Sequence, residues 1–363
     1  MTGPSFVLYG ANGYTGELIA REAVRRGLEP VLAARNRDAV AKLAGELGCG
    51  SIVIGLDDVT ALTQVLRGTR AVLHCAGPFS ATAAPMMQAC LAAGAHYLDI
   101  TGEIPVFEAA HALDGVAREA QTLLCPGVGF DVVPTDCLAA EIKAQLPDAT
   151  YLALGFDSRT GMSRGTARTT IEGLAEGGHI RSSGRLVRVP HGFRERDIDF
   201  GAGVKSAVTI PWGDVSTAWF TTGIPNIEVY IPMSPGRIAS LRRLNWVGGL
   251  LKFGFVQSIL KSQAAKGPPG PDEDARRRHR TFVWGEAQAP SGEQVTARIE
   301  VANSYDVTVH AAVGVLQHAL DYAGPGGYRT PSQLMGNRYI ETLPGSGRME
   351  IVRGRAWEPR PAA

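Results

Sequence analysis

The chain has 363 residues, 45% of them hydrophobic, and a formal net charge of +1 at pH 7. This length exceeds one ordinary core and predicts a globular protein of two domains, while the balanced charge gives no reason to expect a nucleic-acid partner. We expect neither a signal peptide nor a membrane-spanning helix, because the N-terminus lacks a basic region and no run of about 18 apolar residues occurs. The five cysteines form no CxxC pair, so we expect a cytoplasmic protein without a metal site.

Short apolar runs alternate with helix-like segments over the first 130 residues. The apolar runs are Phe6–Tyr9, Pro30–Ala34, Ile52–Gly55, Ala71–Cys75, His96–Ile100 and Thr122–Cys125. The segments between them, such as Glu17–Arg26 and Ala39–Leu47, are rich in Ala, Leu, Glu and Arg. This alternation predicts a parallel sheet with crossover helices, the α/β fold of a doubly wound Rossmann domain over residues 1–130.

The pattern changes after Gly129. Helices are predicted near Pro134–Leu146, Met162–Glu176 and Thr308–Tyr322. Strand-like runs occur at Tyr151–Asp157, Leu186–Val189, Val204–Pro211, Ile227–Pro232, Phe282–Glu286 and Val295–Val301. These elements predict a second, mixed α+β domain over residues 131–323. The biased stretch KGPPGPDEDARRRHR, from Lys266, is expected to be a mobile loop.

Gly10, Gly13 and Gly16 lie in the stretch LYGANGYTGE, between the first apolar run and the first helix-like segment. Glycine turns are common, so the triplet alone would also fit a plain turn. Here a strand leads into the turn and a helix leads out of it, which lets the backbone approach a pyrophosphate at the free N–H groups of the helix. The context therefore predicts a dinucleotide-binding turn.

The end of the second strand selects between the two nicotinamide dinucleotides. NAD-binding domains usually carry an acidic residue about 20 residues after the glycines, where it binds the ribose 2′-hydroxyl. This sequence has Arg35 there, and Arg37 two positions further, in PVLAARNRD. A guanidinium suits a 2′-phosphate, so we predict NADP(H). The alternative is a solvated arginine at a helix start.

Polar and small residues follow the later strands, at the sheet edge where such folds bind ligands. Asp57, after the third strand, is predicted to contact the adenine amino group or else to cap a helix. Gly77 and Pro78, after the fourth strand, are predicted to touch the cofactor sugar through their backbone or else to form a plain turn.

Carboxylates follow the fifth and sixth strands, in YLDITGE and CPGVGFDVVPTD, near the expected nicotinamide. Glu103 and Asp131 are catalytic candidates for orienting the substrate or relaying a proton, and Tyr97 is a third candidate donor. Tyr97 also alternates with core residues, and Glu103 also suits the first turn of a helix. Asp99 and Asp136 are interpreted as caps or structural acceptors in preference to functional groups.

Several motifs together resemble those of the saccharopine dehydrogenase-like oxidoreductases, most closely the trans-acting enoyl reductase type. They are GANGYTG, AARNR, CAGPF, YLDITGE, GFDVVPTD, TIPWGDVSTAWFTTGIPNIEVY and FVWGEA. The resemblance implies an NADP(H)-binding Rossmann domain, a second domain for substrate and oligomerisation, and a tail (324–363) that packs back on the first domain. It also implies a polyketide or lipid chain as substrate. The residues predicted to bind the cofactor are Gly10, Asn12, Gly13, Tyr14, Thr15, Gly16, Arg35, Asp57, Gly77, Pro78 and Phe79.

The segment 237–266 is both basic and apolar. It holds six Lys and Arg residues and no acidic residue, and its run NWVGGLLKFGFVQSIL is apolar over more than one helical face. Three interpretations remain open. The segment is a buried helix or homodimer contact, an interfacial helix at a membrane surface, or a lid that guides an acyl chain and docks an acidic carrier protein.

Three functions also remain open at this point. The first is an NADPH-dependent reductase of an α,β-unsaturated acyl or other lipophilic substrate. The second is an opine-type imine reductase or dehydrogenase that acts on an amino-acid adduct, for which paired arginines would be expected. The third is a non-enzymatic NADP(H)-binding module. We favour an enzyme, because the turns that carry glycines and carboxylates cluster where a nicotinamide would lie.

Overall fold

The computed structural model describes residues 6–159, 161, 163–251, 262, 267 and 270–355. The strands of its first sheet are β1 (Phe6–Tyr9), β2 (Val31–Ala34), β3 (Gly50–Val53), β4 (Ala71–His74), β5 (His96–Asp99), β6 (Leu123–Cys125) and β15 (Gly327–Tyr328). They pair in parallel in the order β15-β6-β5-β4-β1-β2-β3. The first six strands thus have the order of a doubly wound dinucleotide-binding sheet.

Helices cover both faces of this sheet. Their bounds are α1 (Tyr14–Arg25), α2 (Arg37–Leu47), α3 (Val59–Leu66), α4 (Phe79–Ala93), α5 (Ile104–Ala112) and α6 (Asp114–Glu119). Phe6 and Leu8 of β1 share a core with α1 and α2, whereas Val7 and Tyr9 share one with α3 and α4. All four residues of β1 are buried, which explains the continuous apolar run. The predicted Rossmann fold is confirmed.

The second sheet is mixed. Its strands are β7 (Tyr151–Ser158), β8 (Gly178–Ser182), β9 (Arg185–Val189), β10 (Glu195–Asp199), β11 (Val204–Thr209), β12 (Asn226–Pro232), β13 (Thr281–Gln288), β14 (Glu293–Val301) and β16 (Glu350–Arg355). The main order is β10-β11-β12-β7-β13-β14-β16, with the β8–β9 hairpin attached to β12. Only the β12–β7 pairing is parallel among the pairings described for this sheet. The prediction of a mixed α+β second domain is confirmed.

Two helices join the sheets through one core. The remaining helices are α7 (Val133–Gln145), α8 (Arg164–Glu176), α9 (Asp214–Thr222), α10 (Pro235–Leu251), α11 (Glu273–Arg278), α12 (Ser304–Leu320), α13 (Pro331–Met335) and a 3-10 turn (Tyr339–Thr342). Helix α7 packs on β13 and β14, and α12 packs on α1 and β4. Their buried side chains, such as Leu138 and Val315, belong to the same apolar cluster as Phe6 and Val283.

The structure differs from expectation in two segments, and it describes only part of a third, whose role the sequence leaves open. Residues 273–278, expected in a mobile loop, form α11, because Asp272 caps the helix by accepting a 2.7 Å hydrogen bond from the Ala275 N–H. The tail after residue 324 gives β15 to the first sheet but β16 to the second. In the segment 237–266, α10 buries Ile238 and leaves Trp246 89% exposed, while residues 252–261 and 263–266 lie outside the described residues. Among the helices described, none is long and apolar enough to cross a membrane.

Candidate functional site

The glycine turn brings α1 close to the end of β1. Gly10 has φ of +82°, a conformation that side chains disfavour, and a Cβ there would lie 2.7 Å from the backbone nitrogen of Ala76. A Cβ on Gly16 would lie 2.3 Å from the carbonyl oxygen of Gly10. Gly13, the N-cap of α1, provides no side-chain cap. The first N–H groups of α1 are therefore available to an anion.

A cavity of about 460 Å³ opens beside this turn, between the ends of β1 and β2. It is lined by Tyr9, Gly10, Asn12, Ala34, Arg35, Asn36 and Ala76. The cavity also reaches Ala76, which follows β4, and ligands of open α/β sheets bind beside the point where the strand order reverses, here between β1 and β4. Arg35 is exposed and forms no ion pair with any residue that the structure describes. Its guanidinium is thus free to meet a phosphate from the cavity.

The two consecutive aspartates in the turn after β3 differ in their contacts. Asp58 caps α3, because its carboxylate accepts a 2.9 Å hydrogen bond from the Ala61 N–H. Asp57 is exposed and does not line the cavity. The capping alternative for Asp57 is therefore wrong, and its contact with adenine stays a prediction.

Glu103 holds the turn that follows β4. The peptide between Gly77 and Pro78 is cis, and Phe79 begins α4. The two carboxylate oxygens of Glu103 accept hydrogen bonds from the backbone nitrogens of Phe79 (2.8 Å) and Ser80 (2.6 Å). A carboxylate at a helix N-terminus stabilises that end of the helix. Glu103 was expected as a proton donor, but the structure uses it as a cap supplied by another loop.

Tyr97 and Asp99 form a buried pair that ties two strands together. Tyr97 is fully buried and donates a 2.6 Å hydrogen bond to Asp99. Asp99 also accepts hydrogen bonds from the backbone nitrogens of Thr101 (2.9 Å) and Gly127 (2.8 Å), and burial raises its pKa to about 6. Tyr97 thus belongs to the core and does not reach a substrate, which corrects the donor role expected for it. Asp99 is a structural acceptor.

Asp131 lies next to the loop that carries Glu103. A Cβ on Gly102 would lie 3.2 Å from Asp131 Oδ2. Burial raises the pKa of this partly exposed carboxyl to about 7, and a hydrogen bond from Trp212 opposes the rise. The rings of Phe130, Phe156 and Trp212 form an aromatic wall, with successive centroids 5.3 and 5.2 Å apart. Asp131 is thus poised between its acid and base forms beside an apolar surface.

A further carboxyl, Asp214, was not singled out from the sequence. It is the fully buried first residue of α9, and neither carboxylate oxygen has a hydrogen-bond partner among the described residues. Burial raises its pKa to about 8, the nearby Thr135 hydroxyl opposes the rise, and the charges of Asp131 and Asp136 add to it. In the sequence PWGDVSTAWF, Asp214 is recognisable only as an acidic residue before an apolar helix. Ordinary helix N-termini have the same pattern, so it does not indicate a functional carboxyl.

Asp136, in contrast, is a structural acceptor. It accepts hydrogen bonds from the Thr221 hydroxyl (2.5 Å) and from the backbone nitrogen of Ser332 (2.8 Å). These bonds fasten α7 to α9 and to the tail. Within the described ranges, no group of His, Cys, Asp and Glu residues is arranged to hold a metal ion.

Gly16→Ala tests the close approach of α1 to β1. The added methyl would lie 2.3 Å from a backbone oxygen, so α1 must shift away from the turn. We expect the Kd of NADPH to rise at least about tenfold, measured by fluorescence titration. Gly45→Ala on α2 is the matched control, because a Cβ there meets no atom within 4 Å, and it should leave binding unchanged. Equal NADPH affinity in both variants would contradict this account of the turn.

Asp214→Asn tests the unpartnered buried carboxyl. Because the folded-state pKa is raised to about 8, the folded chain keeps a proton that the unfolded chain releases near pH 4. The wild type therefore loses up to about 1.4 kcal/mol of unfolding free energy per pH unit between about pH 4 and 8 from this group. We expect Asp214→Asn to gain stability over the wild type as the pH rises from 5 to 8, measured by urea unfolding. The exposed Asp148→Asn is the control, and a difference that does not change with pH would exclude this role.

Comparison with known proteins agrees with this geometry. Residues 6–125 match the family model of the saccharopine dehydrogenase NADP binding domain. The saccharopine dehydrogenase-like oxidoreductase of Mus musculus is 26% identical over 201 residues, which cover 48% of this chain and 47% of that protein. A Mycobacterium tuberculosis protein named as a candidate trans-acting enoyl reductase is 28% identical over 203 residues, covering 51% and 48% of the two chains. The matches thus span about half the length of these curated relatives.

Among solved structures, the saccharopine dehydrogenase (L-Glu forming) of Saccharomyces cerevisiae has the same fold. It superposes with a TM-score of 0.66 over 96% of this chain and 100% of that chain, at 11% sequence identity. This likeness shows the fold alone, whereas the family model assigns the N-terminal domain. Residues 6–125 therefore form a domain of the saccharopine dehydrogenase NADP-binding type, with NADP(H) as its cofactor, and the chain is similar to saccharopine dehydrogenase-like oxidoreductases over about half of its length.

Proposed function

We propose that the chain is an NADPH-dependent reductase of an α,β-unsaturated acyl or polyketide-like substrate, with Asp131 as the proton donor. The observation that carries the proposal is the place of Asp131. It is partly exposed, has a pKa raised to about 7 by burial, and ends a continuous set of contacts that starts at the cofactor turn. Gly10 lies against Ala76, just before the turn after β4, and that turn is bonded to Glu103. Gly102, the residue before Glu103, lies against Asp131.

The chemistry divides between the cofactor and two carboxyl groups. NADPH, when bound, supplies a hydride. Reduction of a C=C bond conjugated to a carbonyl also needs a proton at the α carbon, and an acid with a pKa near the working pH is suited to deliver it. Asp131 holds that proton because burial raises its pKa, while the interaction with Trp212 favours the ionised form and limits the rise to about 7. Glu103 acts indirectly, because it fixes the turn that sets the cofactor relative to Asp131.

The surroundings of Asp131 favour an apolar substrate over an amino-acid adduct. Phe130 and Phe156 of the aromatic wall are buried, and Trp212 is partly exposed and offers apolar surface beside the carboxyl. An amino-acid adduct carries carboxylates, which arginines usually bind. Arg181, one arginine of the second domain, is only 5% exposed and bonds to Glu108 and to the carbonyl oxygens of Val215 and Gly184. Its guanidinium is therefore already satisfied within the chain.

We further propose that the acyl chain arrives on an acidic carrier protein. Similarity to a candidate trans-acting enoyl reductase supports this, since an enzyme acting in trans receives its substrate from another protein. Helix α10 supplies a fitting surface, because Arg237, Arg243 and Trp246 are exposed. No acidic residue occurs between Glu228 and Asp272, so an acidic partner meets no like charge from this segment. The membrane and homodimer interpretations of residues 237–266 stay predictions.

Arg35→Ala tests the proposed 2′-phosphate contact. We expect the Kd of NADPH to rise at least about tenfold, because a charge-assisted hydrogen bond contributes about 1.5–3 kcal/mol. The Kd of NADH should barely change, since NADH lacks that phosphate. Both constants are measured by fluorescence titration. Arg37→Ala is the control, because Arg37 is exposed and outside the cavity lining. An unaltered NADPH affinity in Arg35→Ala would refute the assignment.

Asp131→Asn tests the proton donor, with NADPH consumption followed on enoyl thioesters. We expect kcat/KM to fall at least about a hundredfold while NADPH binding is kept. Because an acid with a pKa of about 7 loses its proton as the pH rises, the wild-type rate should be constant at low pH and decline above about pH 7. Asp148→Asn, at an exposed position, is the control and should retain full activity.

The same assay separates the competing functions. Turnover of enoyl thioesters supports the proposal, and turnover of an amine with a 2-oxo acid would establish the imine reductase instead. Tight NADPH binding without turnover of either substrate class would favour the non-enzymatic module. An Asp131→Asn variant with wild-type turnover would remove Asp131 from the mechanism.

A further inference from the structure

The first residue of α1 is held by the second domain. The hydroxyl of Tyr14 donates a 2.5 Å hydrogen bond to the carbonyl oxygen of Pro271, which lies just before α11. The Tyr14 ring meets the Tyr305 ring edge to face, with centroids 5.2 Å apart. A Cβ on Gly270 would lie 2.5 Å from the Tyr14 ring. A loop from the second domain therefore packs against the first residue of α1, while Asn12 and Gly13 of the turn remain exposed.

One arginine of α11 takes part in this contact. The helix carries three consecutive arginines, of which Arg276 turns inward with 14% of its side chain exposed, whereas Arg277 is 64% exposed. Arg276 Nη1 donates a 3.0 Å hydrogen bond to the Tyr14 hydroxyl, and Nε donates a 3.1 Å bond to Asp306. Arg277 pairs only with Glu273 and Asp274 of its own helix, among the described residues.

The guanidinium of Arg276 lies between the N-termini of two helices. Tyr14 is the first residue of α1, and Asp306 is in the first turn of α12. The two helices pack side by side, and Arg26 at the far end of α1 bonds to Gln317 near the far end of α12. Their N-terminal ends therefore lie at the same edge of the sheet. This is the edge where the first N–H groups of α1 lack a side-chain cap.

The guanidinium of Arg276 still has unused bonding capacity. Its Nη1 bonds to Tyr14 and Pro271 and its Nε to Asp306, but Nη2 has no hydrogen-bond partner among the residues that the structure describes. Nη2 is not among the buried side-chain atoms that lack a partner, so it is accessible to a ligand. A guanidinium presents its donors in a planar fork that suits phosphate oxygens, so an anion at the start of α1 would complete the set.

We propose that Arg276 is a cofactor-binding residue supplied by the second domain, whose guanidinium contacts the pyrophosphate of NADPH at the first turn of α1. The inference rests on the proposed function only in placing the dinucleotide at the glycine turn. Under this proposal, both domains contribute residues to the cofactor site. The pyrophosphate, Tyr14 and Asp306 would then share one guanidinium, so cofactor binding would strengthen the contact between Arg276 and the first residue of α1.

The test compares NADPH and NADH binding to the full chain by isothermal titration. Arg276→Ala should raise the Kd of both dinucleotides by the same factor, at least about tenfold, because both contain the pyrophosphate. Arg35→Ala should affect NADPH alone. The exposed Arg277→Ala is the matched control and should bind both as the wild type does. Arg276→Lys keeps the charge without the fork and should recover part of the lost affinity.

Two measurements distinguish a direct contact between Arg276 and the cofactor from an indirect effect in which Arg276 only stabilises the glycine turn. The affinity difference between the wild type and Arg276→Ala should shrink when NaCl is raised, because salt screens a charge interaction. Tyr14→Phe removes the hydroxyl that bonds to Arg276 but keeps the ring, so it should cost less affinity than Arg276→Ala. Undiminished affinity in Arg276→Ala, or a full loss reproduced by Tyr14→Phe, would overturn the inference. Failure of the wild type to bind NADPH would reject the proposed function instead.

Discussion

The site depends on how closely two backbone segments approach each other at the first turn of α1. Since a Cβ on Gly16 would lie 2.3 Å from the Gly10 carbonyl oxygen, only hydrogen fits at that position. Because the two segments lie so close, the uncapped N–H groups of α1 lie at the point between β1 and β4 where the strand order reverses. The turn after β4, the Glu103 carboxylate and Asp131 are all placed relative to that edge, so the cofactor turn and the proposed proton donor depend on the same backbone approach.

The cofactor half of the site could be predicted because its determinants are local. Strand, glycine turn, helix and arginine follow one another within the first 40 residues, and β1 has the predicted bounds. Arg35 lines the cavity as the pattern suggested. Helix α11 could not be predicted in this way, because six residues do not form a stable helix alone. Its persistence depends on contacts such as that of Arg276 with Tyr14, which no local pattern contains.

The substrate half was less accessible, because the role of a buried carboxyl is decided by distant partners. Glu103 and Asp131 both follow strands of the same sheet, yet one caps a helix that begins 24 residues earlier, and the other faces an aromatic wall from the second domain. All four residues of the strand that carries Tyr97 are buried, and the bond of Tyr97 to Asp99 makes it part of the core. Asp214 shows the limit most clearly, because its lack of hydrogen-bond partners exists only in the assembled core.

The division of the tail between the two sheets has a consequence for the order in which the protein is built. Strand β6 borders the first sheet until β15 arrives, and β14 borders the second until β16 arrives. During synthesis from the N-terminus, both strands stay open until residues 327–355 have been made. Open strand edges can pair with other chains. One short segment late in the described chain therefore closes an edge of each sheet, and both edges stay open to wrong partners until it is made.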